Sequence, residues 1–164
     1  MIIENTGNEA DKRPQERRAL FPGSFNPFTR GHQSLVERGL ELFDSIVIAI
    51  GISSTKVVTE DDIIKRLEPI SRLYAGNPRV EVTHYTGLTV DAARSHGCRF
   101  LLRGIRNSID MEYERSLADI NRRISGIETV LLLTLPELSA VSSSTVRELQ
   151  RYGHDVSEFL PHEP

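Results

Sequence analysis

The sequence predicts an α/β protein: a five-stranded parallel sheet, doubly wound by helices on both faces. Three observations lead there. Short apolar runs alternate with amphipathic stretches along the whole chain, in the order βαβαβαβαβα, with no internal repeat and no linker-like break. The run "SIVIAIG" (45–51) is apolar at almost every position, as a strand covered on both faces must be. The length, 164 residues with 38% apolar and 26% charged, suits one domain with its own core.

The elements follow in order. Residues 1–16 are polar, mixed in charge and without the apolar middle of a signal peptide, so they read as a flexible tail that precedes a single domain at 17–164. "RRALF" (17–21) is the first strand, and "GHQSLVERGLELF" (31–43) is a helix with Leu35, Val36, Gly39, Leu40 and Phe43 on one face. After the second strand, Thr59 and Asp62 form a variant capping box. The helix from 60 carries Ile63, Leu67, Ile70 and Tyr74 on one side, and Pro69 inside it should kink or break it. "RVEVTHY" (79–85) alternates more than the other strands and belongs at an edge. "LTVDAARSHG" (88–97) is a short helix with Gly97 as its C-cap, and "CRFLLRG" (98–104) is the fourth strand. The longest helix spans 108–126 and also closes on glycine. "ETVLLLTL" (128–135) is the fifth strand, 142–153 a helix opened by serines, and "DVSEFLP" a last turn.

A doubly wound sheet binds ligands beyond the carboxyl ends of its strands. After strand one come Ser24, Thr29 and His32; after strand two, Ser53, Ser54, Thr55 and Lys56. Thr89 follows strand three, Arg103 and Arg106 follow strand four, and Ser139 and Ser142 to Ser144 follow strand five. One rim thus gathers hydroxyls, three cations and a histidine, which suits an anion such as phosphate. Thr29 and His32 are three residues apart at a helix start, where free N–H groups and the dipole favour negative charge. Arg103 and Arg106 flank Gly104 and can grip an oxyanion, or else pair with Asp110, Glu112 or Glu114. Asp110 and Glu114 share a helix face, where a carboxylate can orient an arginine or a ribose hydroxyl. One of the three serines is an N-cap, and together they form a second anion cradle.

Other chemistries find no support. There is no G-x-S-x-G, no G-x-G-x-x-G and no Walker lysine loop. His84, His96, His154 and His162 show no metal-ligand spacing, and no protein-held metal site is expected. The single cysteine, Cys98, reads as core packing, and its lack of a partner fits a cytoplasmic location. The net charge of -3 and the few aromatics argue against a nucleic-acid partner, and no run is long enough to span a membrane.

The motifs "PGSFNPFTRGH", "SSTK", "GLTVD", "LLRGIRNSIDMEYE", "IETVLLLTLPELSAVSSSTVRE" and "DVSEFLP" occur in one order over residues 18–161. As a set they resemble the bacterial phosphopantetheine adenylyltransferases, of the Rossmann-like nucleotidyltransferases with a T/H-x-G-H motif. The resemblance implies transfer of the adenylyl group of ATP to 4'-phosphopantetheine, giving dephospho-coenzyme A and pyrophosphate. It implies Mg²⁺ bound mainly through phosphates and water, a homohexamer built as a dimer of trimers, and coenzyme A as a possible feedback inhibitor. Carried onto this chain, His32 and Lys56 would be catalytic. Ser24, Lys56, Thr89 and Arg103 would bind phosphopantetheine. Ser24, Phe25, His32, Gly104, Ile105, Arg106, Glu114 and the segment Leu138, Ser139, Ala140, Val141, Ser142, Ser143, Ser144 would hold ATP.

The chain departs from the family pattern in places. Asn26 stands where an aspartate is common, Met111 replaces a phenylalanine, and Leu138 stands where some members have an aromatic ring. The stretch after Lys56 reads "VVTEDDIIKR" and lacks the usual phenylalanine and E-R pair. Two rival readings stay open: an adenylyl- or cytidylyltransferase for another phosphorylated acceptor, and a non-catalytic nucleotide-binding module. The joint presence of His32, Lys56, Arg103 and Arg106 weighs against the second.

Overall fold

Strand β1 (Arg18–Gly23) lies at the centre of a single sheet, in a computed structural model that describes residues 15–53, 55 and 58–162. The remaining strands are β2 (Ser45–Ile52), β3 (Val80–Thr86), β4 (Phe100–Ile105) and β5 (Glu128–Leu133). Their order across the sheet is β3-β2-β1-β4-β5, and every pairing is parallel. The chain therefore winds outward from β1 to β3, then crosses back to β4 on the other side of β1. The carboxyl ends of β1 and β4 diverge there, and this is the switch point where such sheets open a crevice.

Periodicity explains the two-sided core. Along β2, Ile46, Ile48 and Ile50 face one way and pack with Leu35, Val36 and Ile70 of helices α1 (Arg30–Leu42) and α2 (Glu60–Leu73). Val47 and Ala49 face the other way, against Val90, Ala92 and Ala93 of α3 (Thr89–Ser95). Helix α4 (Ser108–Ser125) leads from β4 to β5, and α5 (Ser143–Arg151) follows β5 after a short 3₁₀ turn at Pro136–Leu138. As expected, α4 ends at a left-handed Gly126, with φ of 74°.

Three local expectations need correction. Of the kink or break expected at Pro69, the break does not occur: helix α2 runs on to Leu73. Its first turn is held by the reciprocal Thr59–Asp62 capping box, and Ile70 anchors its second half in the core at 1% exposure. Strand β4 starts at Phe100 rather than Cys98. Cys98 N–H instead donates to Ala93 O and so completes the end of α3, leaving the thiol buried. The cap of α3 is His96, and Gly97 takes the left-handed conformation one residue later, at φ of 66°. No helix among the described residues is long and apolar enough to cross a membrane.

Candidate active site

Between the ends of β1 and β4 lies a cleft of about 290 Å³. Gly104 makes it possible: a Cβ there would stand 2.3 Å from Leu35 Cδ1, so only glycine lets α1 come this close to β4. The N-terminal turn of α1 enters the cleft with Gly31 and His32, and that of α5 enters with Ser142, Ser143 and Ser144. Two helix N-termini thus converge on one space, each bringing unpaired N–H groups and the positive end of its dipole. Arg103 and Arg106 close the other side.

The first turn of α1 fixes the state of His32. Thr29, the N-cap, is fully buried. Its backbone N–H donates to His32 Nδ1 at 3.0 Å, with Thr29 Oγ1 at 3.1 Å from the same nitrogen. An Nδ1 that accepts a proton donor is not protonated, so the ring hydrogen sits on Nε2. Burial, then the charges of Arg106 and Arg103, lower the His32 pKa from 6.5 to about 4. The imidazole is therefore neutral at physiological pH, and Nε2–H is its one donor. Its ring is wedged among aromatics, with the Phe25 centroid at 5.0 Å edge-on and that of Phe28 at 5.2 Å.

The loop before α1 is shaped around Phe25. This residue has a positive φ of 43°, and its ring is 2% exposed. A Cβ at Gly23 would lie 2.6 Å from that ring, so glycine is required there. The peptide bond between Asn26 and Pro27 is cis. Helix α5 holds the loop in place: Ser143 Oγ donates to Pro27 O at 2.8 Å, and Arg147 donates to Asn26 O. The three serines thus divide their work. Ser142 caps α5 by accepting from Thr145 N–H, Ser143 ties the loop, and Ser144 accepts from Arg147.

Both arginines are held by carboxylates from α4. Glu114, only 6% exposed, accepts from Arg103 Nε at 2.8 Å and from its Nη2, while Arg103 Nη1 donates to Pro22 O at 2.7 Å. Burial works against the charge of Arg103, and Glu114 outweighs it, so the guanidinium is held firmly protonated. Asp110 accepts from Arg106 Nε at 2.9 Å, and that bond keeps its carboxyl below the usual range. The spacing of Asp110 and Glu114 thus serves to orient arginines. Glu112 is exposed.

A second cleft, also about 290 Å³, opens on the far side of Arg103. It shares Pro22, Gly23, Arg103 and Glu114 with the first, and Ser24 and Thr89 stand on its wall. It then runs between α4 and the sheet, past Tyr113 and Leu117, to Asn121 and Thr129. The Thr129 hydroxyl is buried there without a hydrogen-bond partner. Tyr85 OH meets Thr89 Oγ1 at 2.8 Å on the same wall.

The structure thus brings Phe25, His32, Gly104, Arg106, Glu114 and Val141 to Ser144 to the first cleft, and Ser24, Thr89 and Arg103 to the second. Ile105 and Leu138 are buried in the core, and the Ser139 hydroxyl is spent on Pro136 O. Ala140 is exposed beside them. Lys56 lies outside the described residues. The residues lining the inner half of the second cleft escaped the sequence reading, because they sit mid-helix and mid-strand rather than on the loop rim.

The chain matches the family model for cytidylyltransferase-like domains over residues 20–149. It is 55% identical to the phosphopantetheine adenylyltransferase of Porphyromonas gingivalis over 143 residues, 87% of this chain and 93% of that one. The enzymes of the same name from Bacteroides thetaiotaomicron and Flavobacterium johnsoniae are 52% and 43% identical, each over 88% of this chain and 95% of theirs. The chain belongs to the phosphopantetheine adenylyltransferase family. Among solved structures it is similar to a bifunctional NMN adenylyltransferase/ADP ribose pyrophosphatase from Francisella tularensis, with a TM-score of 0.65 at 12% identity. That match covers 88% of this chain and 44% of the longer protein, and it bears on the fold. Within the phosphopantetheine adenylyltransferase fold, the twin clefts straddle the switch point between β1 and β4.

Proposed function

We propose that the protein transfers the adenylyl group of ATP to 4'-phosphopantetheine, forming dephospho-coenzyme A and pyrophosphate. One observation carries this: two clefts meet at Arg103, one ringed by helix N-termini and the other lined by α4 and the sheet. The first suits a nucleoside triphosphate. The second suits a phosphate at its mouth and a slender amide-bearing arm inside, for which the orphaned Thr129 hydroxyl offers a hydrogen-bond partner.

In this reaction an oxygen of the pantetheine phosphate attacks the α-phosphorus of ATP. The new P–O bond forms as the bond to the β-phosphate bridging oxygen breaks, and pyrophosphate carries away the electron pair. No covalent residue is needed, so catalysis consists of alignment and charge stabilisation. The Nε2–H of His32 donates to the α-phosphate as charge builds there. Arg103, between the clefts, neutralises the acceptor phosphate. The N-termini of α1 and α5 hold the triphosphate, and Lys56 adds a further cation.

Mg²⁺ fits as a companion of the triphosphate. Asp110 and Glu114 already spend their oxygens on arginines. The ion would therefore be carried by phosphate oxygens and water, where it would offset phosphate charge. Coenzyme A would inhibit by occupying the acceptor slot with its pantetheine arm. The substrates are consistent with a cytoplasmic location, and the assembly is a homohexamer, a dimer of trimers. Mass-spectrometric detection of dephospho-coenzyme A from ATP, Mg²⁺ and phosphopantetheine tests the reaction. Pyrophosphate release with a different phosphorylated acceptor, and none with phosphopantetheine, would overturn it.

A further inference from the structure

A third cleft, larger than either of those described at about 380 Å³, lies behind the aromatic wall that supports His32. Phe25, Pro27 and Phe28 form that wall, α2 supplies Pro69, Ile70 and Leu73, and the segment at Leu160 and Pro161 closes the end. The floor is apolar: Phe28 is 6% exposed and Ile70 1%. The rim is cationic. Lys65, Arg66 and Arg72 of α2 stand there with a single acid, Asp62. Asp62 is spent on the Thr59 cap, accepting from its hydroxyl at 2.8 Å, and Arg72 is satisfied by Glu68 at 2.7 Å. Asp62 keeps its negative charge and is felt by both Lys65 and Arg66, so this group leaves the rim with one positive charge in excess to face an occupant.

We propose that this cleft is a second small-molecule site, and that it takes a compact apolar ring or chain carrying one anionic group. The apolar floor sets the body of the ligand and the Lys65–Arg66 pair sets its charge. Its occupant sits between the loop at Pro27 and helix α2, with Pro69, Leu73 and Leu160 around it. The proposal stands whichever acceptor receives the adenylyl group.

The test uses the full chain and two probes with one skeleton: anilinonaphthalene sulfonate, and N-phenyl-1-naphthylamine, which lacks the sulfonate. Fluorescence titration should give one saturable sulfonate site per chain that persists at saturating ATP. The uncharged probe should bind roughly tenfold or more weakly, and Lys65→Glu with Arg66→Glu should weaken the sulfonate to a similar degree. Lys65→Arg with Arg66→Lys, which keeps both charges, should restore binding. The site does not exist as proposed if the sulfonate fails to bind, if the charge reversal leaves its affinity unchanged, or if both probes bind equally. Complete competitive displacement by ATP would place the probe in the nucleotide cleft and overturn the proposal too.

Discussion

A single backbone amide decides what His32 can do. The Thr29 N–H occupies Nδ1, so the ring offers Nε2–H and nothing else to the cleft. His32→Ala should lower kcat by about 10²–10³-fold while the protein still folds, from loss of one preorganised donor; steady-state kinetics with a circular dichroism control checks it. The low pKa also sets a pH dependence. Unfolded, the imidazole takes up a proton near 6.5; folded, it does so only near 4. Between these values the unfolded chain binds more protons, so stability rises with pH, and falls as pH drops from 6.5 toward 4. Denaturation midpoints across that window should vary less steeply in His32→Ala. Arg103 and Glu114 make a sharper case. Removing either strands a buried charge and should cost about 3 kcal/mol or more, whereas removing both should cost well under the sum. A double-mutant cycle by chemical denaturation reads that coupling. The sequence carried the four-residue step from Asp110 to Glu114, hence their common face, but not which arginine each would hold. It carried Phe25 as a member of the motif, but not that its ring would turn inward, which depends on the space left by Gly23.

Helices α1 and α5 aim their starts into the same cleft although more than 100 residues separate them, as the Ser143–Pro27 contact with its separation of 116 shows. Ser142→Ala removes the cap of α5. It should cost about 1 kcal/mol in stability and raise the KM for ATP more than that for phosphopantetheine, measured by thermal denaturation and by varying each substrate in turn. Most elements were legible from periodicity because each buries one face or both. The exceptions have local causes. At Pro69 a well-capped helix with a buried anchor overrides an intrinsic breaker, and tertiary packing of that sort leaves no mark in a local window. At Cys98 a small apolar residue that completes a helix end looks the same as one that begins a strand.

At the scale of the molecule, the sheet and its switch point followed from alternation and the rules of parallel connection, so the rim of candidate residues could be drawn without coordinates. The second cleft could not, because Tyr113, Asn121 and Thr129 come together only when α4 packs across the sheet. The outer surface carries its own message. Ile109, Tyr113, Ile120 and Ile124 form a stripe on α4 and are between 53% and 78% exposed, beside the open edge strand β5 and its exposed Leu133. That stripe is the surface a hexamer would cover. If the proposed hexamer forms through this stripe, Ile120→Asp with Ile124→Asp should lower the sedimentation coefficient toward that of smaller species. The tie between α5 and the loop at residues 26 and 27 bears on biosynthesis. A nascent chain still lacking residues 143–151 already carries all five strand sequences, yet one flank of the first cleft is missing and the loop before α1 lacks its ties to α5. A complete first cleft therefore has to wait until α5 has left the ribosomal tunnel, and a product terminated before it should hold a nucleotide more weakly than the full chain.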